Sequence, residues 1–242
     1  MDVIPLLLQL DKECTVWAQQ HAHSCNLFAS LVNINRQREQ TFIQWQTQQK
    51  QKQKQKQHII CSVSSSSKEK AFLASPSLQL LIHKQTLEIE AVITQLYEAI
   101  QAFRNVVQAM IKLEQQMEAA VQTMDTEKLL SSVNYIDSAI MSTTAVTSNN
   151  RYASMPSLMD TVEISPLETL DWVSRVRAMY AQELSVKQSQ IHPSMTFPDQ
   201  SGDLIDLQRD WGLQERIDFG LEQEIMERIK TYRRVREFSS RI

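Results

Sequence analysis

The sequence predicts an all-α protein, built from long helices that form an extended coiled coil or helical bundle and closed by a C-terminal helical segment. Three observations carry that expectation. The chain has no glycine before Gly202, and only Gly212 and Gly220 after it; hairpins and bulges lean on glycine, so a strand-rich build is disfavoured. Between Ser77 and Met124 apolar residues recur in alternating steps of four and three, the seam of a coiled coil or long bundle helix. Finally, Ser165-Pro166-Leu167-Glu168 is a capping box with proline at the first helical position, a specific helix start. Glycine scarcity also excludes chemistry. A phosphate-cradling loop needs close backbone approach, so neither a P-loop nor a dinucleotide fingerprint fits anywhere before Gly202.

The 242 residues, 42% of them hydrophobic, suffice for one or two domains with a real core. A net charge of −3 argues against a general nucleic-acid glue. Cys14, Cys25 and Cys61 are odd in number and lack a framework spacing, which fits a reducing compartment. Met1 to Leu10 is a short apolar run with Asp2 ahead of it and no basic leader, unlike a secretory signal. No stretch reaches the ~20 apolar residues of a membrane span. The expectation is a soluble intracellular protein with no membrane contact.

The first segment, residues 1–48, is expected to be helical from about Val3 to Gln48. Trp17, His21, Ser24, Phe28, Leu31, Asn35, Arg38, Phe42 and Trp45 follow the helical spacing, most clearly from Trp17 to Val32. Residues 49–74 hold an alternating Lys/Gln run from Lys50 to Gln57 and a serine run from Ser64 to Ser67, and read as a mobile low-complexity linker. The basic run is first a solvated helix end or tail; direct RNA contact there is the weaker alternative.

Residues 75–141 carry the main seam and then a short helix. Ser75 is a candidate N-cap with Pro76 behind it. Ile82, Ile89, Leu96, Phe103, Met110, Met117 and Met124 recur every seventh residue; Leu78, Gln85, Val92, Ala99, Val106, Leu113 and Ala120 form the second row. Ile93, Ile100, Val107 and Val121 widen the stripe, so more than one helix is expected to pack on it. At about 1.5 Å per residue this helix reaches ~72 Å, too long to be buried inside one compact domain, and the seam is expected to be open to a partner helix. Glu127 to Met141 is a weaker helical stretch, with Leu130, Val133, Ile136 and Ile140 on one side. Residues 142–164 lose periodicity and read as a loop. Arg151-Tyr152-Ala153-Ser154 within it has the form of a basophilic kinase site, a match too short to outweigh chance.

The last segment, residues 165–242, restarts at Ser165. Leu170, Val173, Arg177, Tyr180, Leu184 and Lys187 line one face, with Trp172, Val176 and Met179 beside it. Pro193 and Pro198 bound a loop. A last helix from about Leu213 carries Ile217, Leu221, Ile225, Ile229 and Tyr232 and ends in Arg228, Lys230, Arg233, Arg234, Arg236 and Arg241; cations there complement the helix dipole.

Catalytic and metal chemistry find little to stand on. Cys14, His21 and Cys25 share a helix face, but His23 does not and no CxxC pair exists; structural zinc needs four ligands, and small core residues explain the same pattern. No GxSxG elbow and no Glu-x-x-His pair is present. Glu88, Glu90, Glu114 and Glu118 read as solvated helix-surface charges. No catalytic, cofactor-binding or metal-binding residue is assigned, and the expectation is not an enzyme. Trp172 and Trp211 serve a core or a partner groove equally well, with core favoured by periodicity.

The order of these pieces resembles the AIRIM family, ribosome maturation factors that associate with an AAA ATPase. The resemblance rests on Ser165-Pro166, Leu170-Asp171-Trp172, Tyr180 and Lys187, and then on Leu207-Gln208-Arg209-Asp210-Trp211 before the last helix. Upstream, Val16-Trp17 with Cys25, and Pro76, Leu78, Lys84 and Gln85 at the long helix, fall in the family's order. It covers most of the chain except roughly 46–70 and 142–160. The Lys/Gln and serine runs look like an insertion, and Glu183 to Lys187 is less basic than the family's stretch.

The resemblance implies a non-catalytic cofactor of an AAA ATPase acting in late maturation of the large (60S) ribosomal subunit, in cytoplasm and nucleus. Its implied partners are the ATPase, the pre-60S particle and a second small helical protein, similar to the cyclin-dependent-kinase-interacting protein, bound as a heterodimer through the long helix. The residues expected to face partners are Ile89, Leu96, Phe103, Met110 and Met117 on that helix, and Trp172, Val176, Tyr180 and Trp211 in the C-terminal segment. A structural coiled-coil subunit of a tethering, kinetochore or cytoskeletal complex is the rival reading.

Overall fold

Lysine and glutamine are both strong helix formers, and this decides the first element. In a computed structural model of the chain, which describes residues 3–60, 74–123, 162–191 and 201–239, helix α1 (Ile4–Ile60) runs on through the whole Lys/Gln repeat. The mobile linker expected from residue 49 is therefore helical to Ile60. Low sequence complexity was the misleading signal; alternating lysine and glutamine contain no residue that disfavours a helix. The serine run, the stretch Glu127 to Met141, the 151–154 motif and the 142–164 loop up to residue 161 lie outside the described residues; at the end of that loop Val162 and Ile164 are buried.

Four further helices follow: α2 (Ala74–Gln122), α3 (Pro166–Gln190), α4 (Ser201–Gly212) and α5 (Phe219–Ser239). Helix accounts for 93% of the described residues and none of them lies in a strand, so the chain is all-α. No described helix is long and apolar enough to cross a membrane.

The ends of the helices follow their capping chemistry. Ser165 Oγ accepts the Glu168 backbone N–H at 3.0 Å, and its carbonyl accepts the Thr169 N–H at 3.0 Å, as the capping box requires. The Glu168 carboxylate instead lies 3.6 Å from Arg228 on α5. The last helix begins at Phe219 rather than Leu213. Asp218 Oδ1 accepts the N–H groups of Gly220 at 2.9 Å and Leu221 at 3.3 Å, and this side-chain cap fixes the start. Residues 213–218 form turns, with Leu213 N–H on the Asp210 carbonyl and Ile217 N–H on that of Gln214. Helix α4 was not expected from the sequence, because the two prolines ahead of it read as a loop and only Leu204 and Trp211 mark its buried side.

The chain divides into two compact units, and neither is a contiguous stretch. One comprises Met1–Ala18, Phe103–Ser185 and Gln214–Ile242; the other Gln19–Ala102 and Val186–Leu213. Each takes part of the long seam of α2, which resolves the difficulty of burying so long a helix in one domain. In the first unit Phe103, Met110 and Met117 are fully buried, along with Val173, Val176 and Tyr180 of α3 and Leu7 of α1. In the second, Ile89, Leu96 and Ala99 of α2 are buried, as are Phe28 and Leu31 of α1 and Leu204 of α4. Here α1 and α2 pair as a helical hairpin, and Gln85 Nε2 reaches Thr41 Oγ1 at 3.5 Å.

Candidate functional site

The nine residues expected to face partners are interior. Ile89, Leu96, Phe103, Met110, Met117, Trp172, Val176, Tyr180 and Trp211 are each no more than 5% exposed. The seam is occupied by the chain's own helices, and the exposed partner-seeking stripe expected from the heptads is not presented. A heptad repeat records that a helix needs a neighbour; it does not record whose. Phe103, Met110, Met117, Trp172, Val176 and Tyr180 belong to the first unit and Ile89, Leu96 and Trp211 to the second.

In the first unit the tryptophan of α1 organises the centre. The Trp17 ring lies 4.3 Å from Phe103 of α2 and 4.9 Å from Tyr180 of α3, the latter edge-on at 88°; such pairs add to simple burial. Its Nε1–H donates to Gln214 Oε1 at 2.9 Å, so the one polar atom of a fully buried indole is satisfied. Tyr180 O–H donates to Glu222 Oε1 of α5 at 2.7 Å. Burial raises the Glu222 carboxyl above its usual range; the Tyr180 bond opposes this and Asp11 and Asp218 reinforce it. Burial also pushes the Cys14 thiol up to about 12, with Glu222 adding to the effect, which makes it an inert core thiol at neutral pH. A cavity beside Cys14 and Glu222 holds about 20 Å³, room for roughly one water and far below the few hundred Å³ of a small-molecule site.

Outside this centre, Arg177 of α3 grips Glu114 of α2 with two bonds, 2.8 and 3.0 Å. The Arg177 hydrogen bonds hold the Glu114 carboxyl below its usual range. The sequence reading treated Glu114 as a solvated surface charge; its side chain is only 13% exposed, and the bidentate geometry ties α3 to α2.

In the second unit the centre is Trp211. Its Nε1–H donates to Ser24 Oγ at 2.9 Å, and Ser24 O–H donates to the His21 carbonyl at 2.8 Å. The ring lies 4.8 Å from Phe28. Lys187 is fully buried; its Nζ donates to the Trp211 carbonyl at 2.9 Å and sits 4.5 Å from the centroid of a Trp211 ring. A cation over an indole face, desolvated, is a favourable arrangement. The sequence placed Lys187 on the apolar face of α3 without recognising the consequence. A lysine closing an apolar row was the available signal.

His21 is buried beside this lysine, with Cys25 Sγ 3.6 Å from its Nε2. Burial, and then the Lys187 charge, lower its pKa to about 4. The unfolded chain therefore binds a proton below pH about 6.5 that the folded chain refuses until about pH 4. Stability contributed by His21 is complete above pH 6.5 and is lost as the pH falls toward 4, by at most about 1.4 kcal/mol per unit. Melting curves from pH 7 to 4.5 should show the wild type losing more stability than His21→Gln; parallel losses would remove His21 from the account. As for metals, His23 is exposed, and among the described residues no three His, Cys, Asp or Glu side chains converge as a metal site would require.

The arrangement is thus two packed aromatic and polar centres that hold helices together. No family model, no curated protein and no solved structure matches the chain.

Proposed function

We propose that the chain is a non-catalytic helical adaptor of an AAA ATPase, acting in late maturation of the large ribosomal subunit. In this role it recruits the ATPase to pre-60S particles for release and recycling of a shuttling maturation factor. One observation carries the reading. Trp17, Trp172, Tyr180, Lys187 and Trp211, five of the residues that carry the AIRIM resemblance, are all buried, and four of them make the contacts described at the two packing centres. Residues that define a helical family are those that fix its packing, and they lie in the same order here.

The ATPase, the pre-60S particle and a second small helical protein are the partners in this proposal. Because Ile89, Leu96, Phe103, Met110 and Met117 are interior, such a partner meets other, exposed positions of the long helix. Leu80 and Leu87, 68% and 50% exposed, lie seven residues apart and are the places to probe it. The rival, a coiled-coil subunit of a tether or spindle complex, explains the helices but not the ordered C-terminal motifs. Affinity purification from native cells with nuclease treatment, followed by mass spectrometry, separates the two. Recovery of an AAA ATPase with a small helical protein and large-subunit precursors is expected; recovery of a tether or spindle complex without the ATPase would replace the proposal with its rival.

A further inference from the structure

The seam of α2 is filled, but the opposite side of its first half stands open. Within the second unit Gln85, Ile89 and Leu96 are buried. On the far side of the helix, Leu80, Leu87 and Thr94 recur at steps of seven residues, almost two full turns, and so share one stripe. Leu80 is 68% exposed and Leu87 50% exposed, and Thr94 is exposed with them. Two leucines one heptad apart on an open face make a short apolar strip of the kind that packs against another helix.

The charges beside the stripe give it a direction. At 3.6 residues per turn His83 and Glu90 flank it on one side, and Lys84 and Glu88 on the other; all four are exposed. His83 and Lys84 precede Leu87, and both carboxylates follow it. We propose that this face of α2 seats a second copy of the chain, α2 against α2, antiparallel and centred on Leu87. Turning a copy end over end about Leu87 sets Leu87 on Leu87 and Leu80 on Thr94, and keeps each flank against the same flank. His83 then meets Glu90 of the copy. Lys84 reaches Glu88 of the copy across an offset of two residues, about 3 Å along the axis. Within one chain Lys84 Nζ is 3.8 Å from Glu88 Oε1 with side chains 72% and 49% exposed, so both groups stay open to the copy. A parallel pair would set every charge against its own kind.

Other occupants match less well. A membrane surface calls for a broad apolar face, whereas this stripe is two leucines and a threonine between charged flanks. A nucleic acid would meet Glu88 and Glu90 beside every cation it neutralised. A different helical protein would need the same order of charges, which a second copy carries by construction. The stretch from Leu80 to Thr94 is shorter than the roughly 20–30 residues a side of a standard interface, so the dimer is weak and forms by concentration. It is read from α2 alone and does not rest on the ATPase proposal; a helical partner that used Leu80 and Leu87 would displace the copy.

The test is sedimentation velocity of the purified full-length chain over a concentration series from about 5 to 500 μM. The sedimentation coefficient should climb from monomer toward dimer, and less steeply in high salt, which screens the flanking pairs. Leu87→Arg puts two like charges on the axis and should leave a monomer throughout. His83→Glu with Lys84→Glu turns both flanks repulsive and should weaken the dimer about tenfold or more. Adding Glu88→Lys and Glu90→Lys to that same chain reverses every pair and should restore it. Phe238→Ser, at an exposed aromatic of α5, should change nothing. Thermal melts confirm that each variant keeps its fold, since every substituted residue is exposed. A wild type that stays monomeric, self-association that survives Leu87→Arg, or a fourfold variant that stays monomeric would overturn the proposal. A monomeric wild type whose Leu87→Arg variant loses the small helical protein in affinity purification would give the stripe to that protein instead.

Discussion

Trp211→Ala is expected to be among the most damaging single truncations in the chain, costing about 3–5 kcal/mol. For a protein of this size that is a drop of roughly 10 °C or more in melting temperature. The indole is completely buried, packs at a tilt against Phe28 and carries the Lys187 ammonium over its face. Truncation leaves a large void, removes the cation–π contact of a buried charge and deprives Ser24 of its donor. The lysine's bond to the residue-211 carbonyl is backbone and survives. Trp211→Phe separates the terms in part: it keeps an aromatic ring in the core while losing the N–H bond to Ser24 and some of the indole's volume, so a smaller cost of about 1–2 kcal/mol is expected. Thermal melts of the three proteins measure this directly. If Trp211→Ala melts with the wild type, Trp211 is not the centre of the second unit.

Phe103→Asp should go further and abolish cooperative unfolding altogether. Phe103 is fully buried, with the Trp17 ring 4.3 Å away. The substitution forfeits about 3–5 kcal/mol of aromatic burial and places a carboxylate where no water reaches it, a further cost of several kcal/mol. Together these approach the whole stability of a typical domain, about 5–15 kcal/mol. Far-ultraviolet circular dichroism and a thermal melt are the measurement; retention of a sharp native-like transition would show that Phe103 lies at a surface. The consequence reaches beyond one residue. Charging Leu96, Phe103 and Met110 together was the natural way to break a partner seam, but in this fold a lost complex would report unfolding. Exposed positions such as Leu80 and Leu87 are the informative ones.

Much of the architecture was legible in the residues. Glycine scarcity and the heptads of α2 specified helices, and Ser165 with Glu168 placed the start of α3. Three things were not legible, each for a physical reason. The heptad pattern is the same whether a seam packs within one chain or between two, so Ile89, Leu96, Phe103, Met110 and Met117 could not announce that α1 and α3 would fill it. Trp17 and Trp211 were recognisable as large apolar anchors, but their donors meet Gln214 and Ser24, almost two hundred residues distant in each case, and no local pattern encodes such a meeting. Helix α4 is short, follows two prolines and shows only Leu204 and Trp211 to the core, too few positions to establish a period. Asp218 was visible, yet its cap on α5 competes with an apolar row that begins earlier, at Leu213.

Hydrogen–deuterium exchange of the purified chain, with no partner present, tests most directly whether it fills its own seam. Slow exchange is expected across residues 103–117 of α2 and 172–184 of α3, because opening those helices requires dismantling the Trp17–Phe103–Tyr180 centre. Rapid exchange there in the isolated chain, with protection appearing only when a second helical protein is added, would contradict it and return those residues to an intermolecular interface.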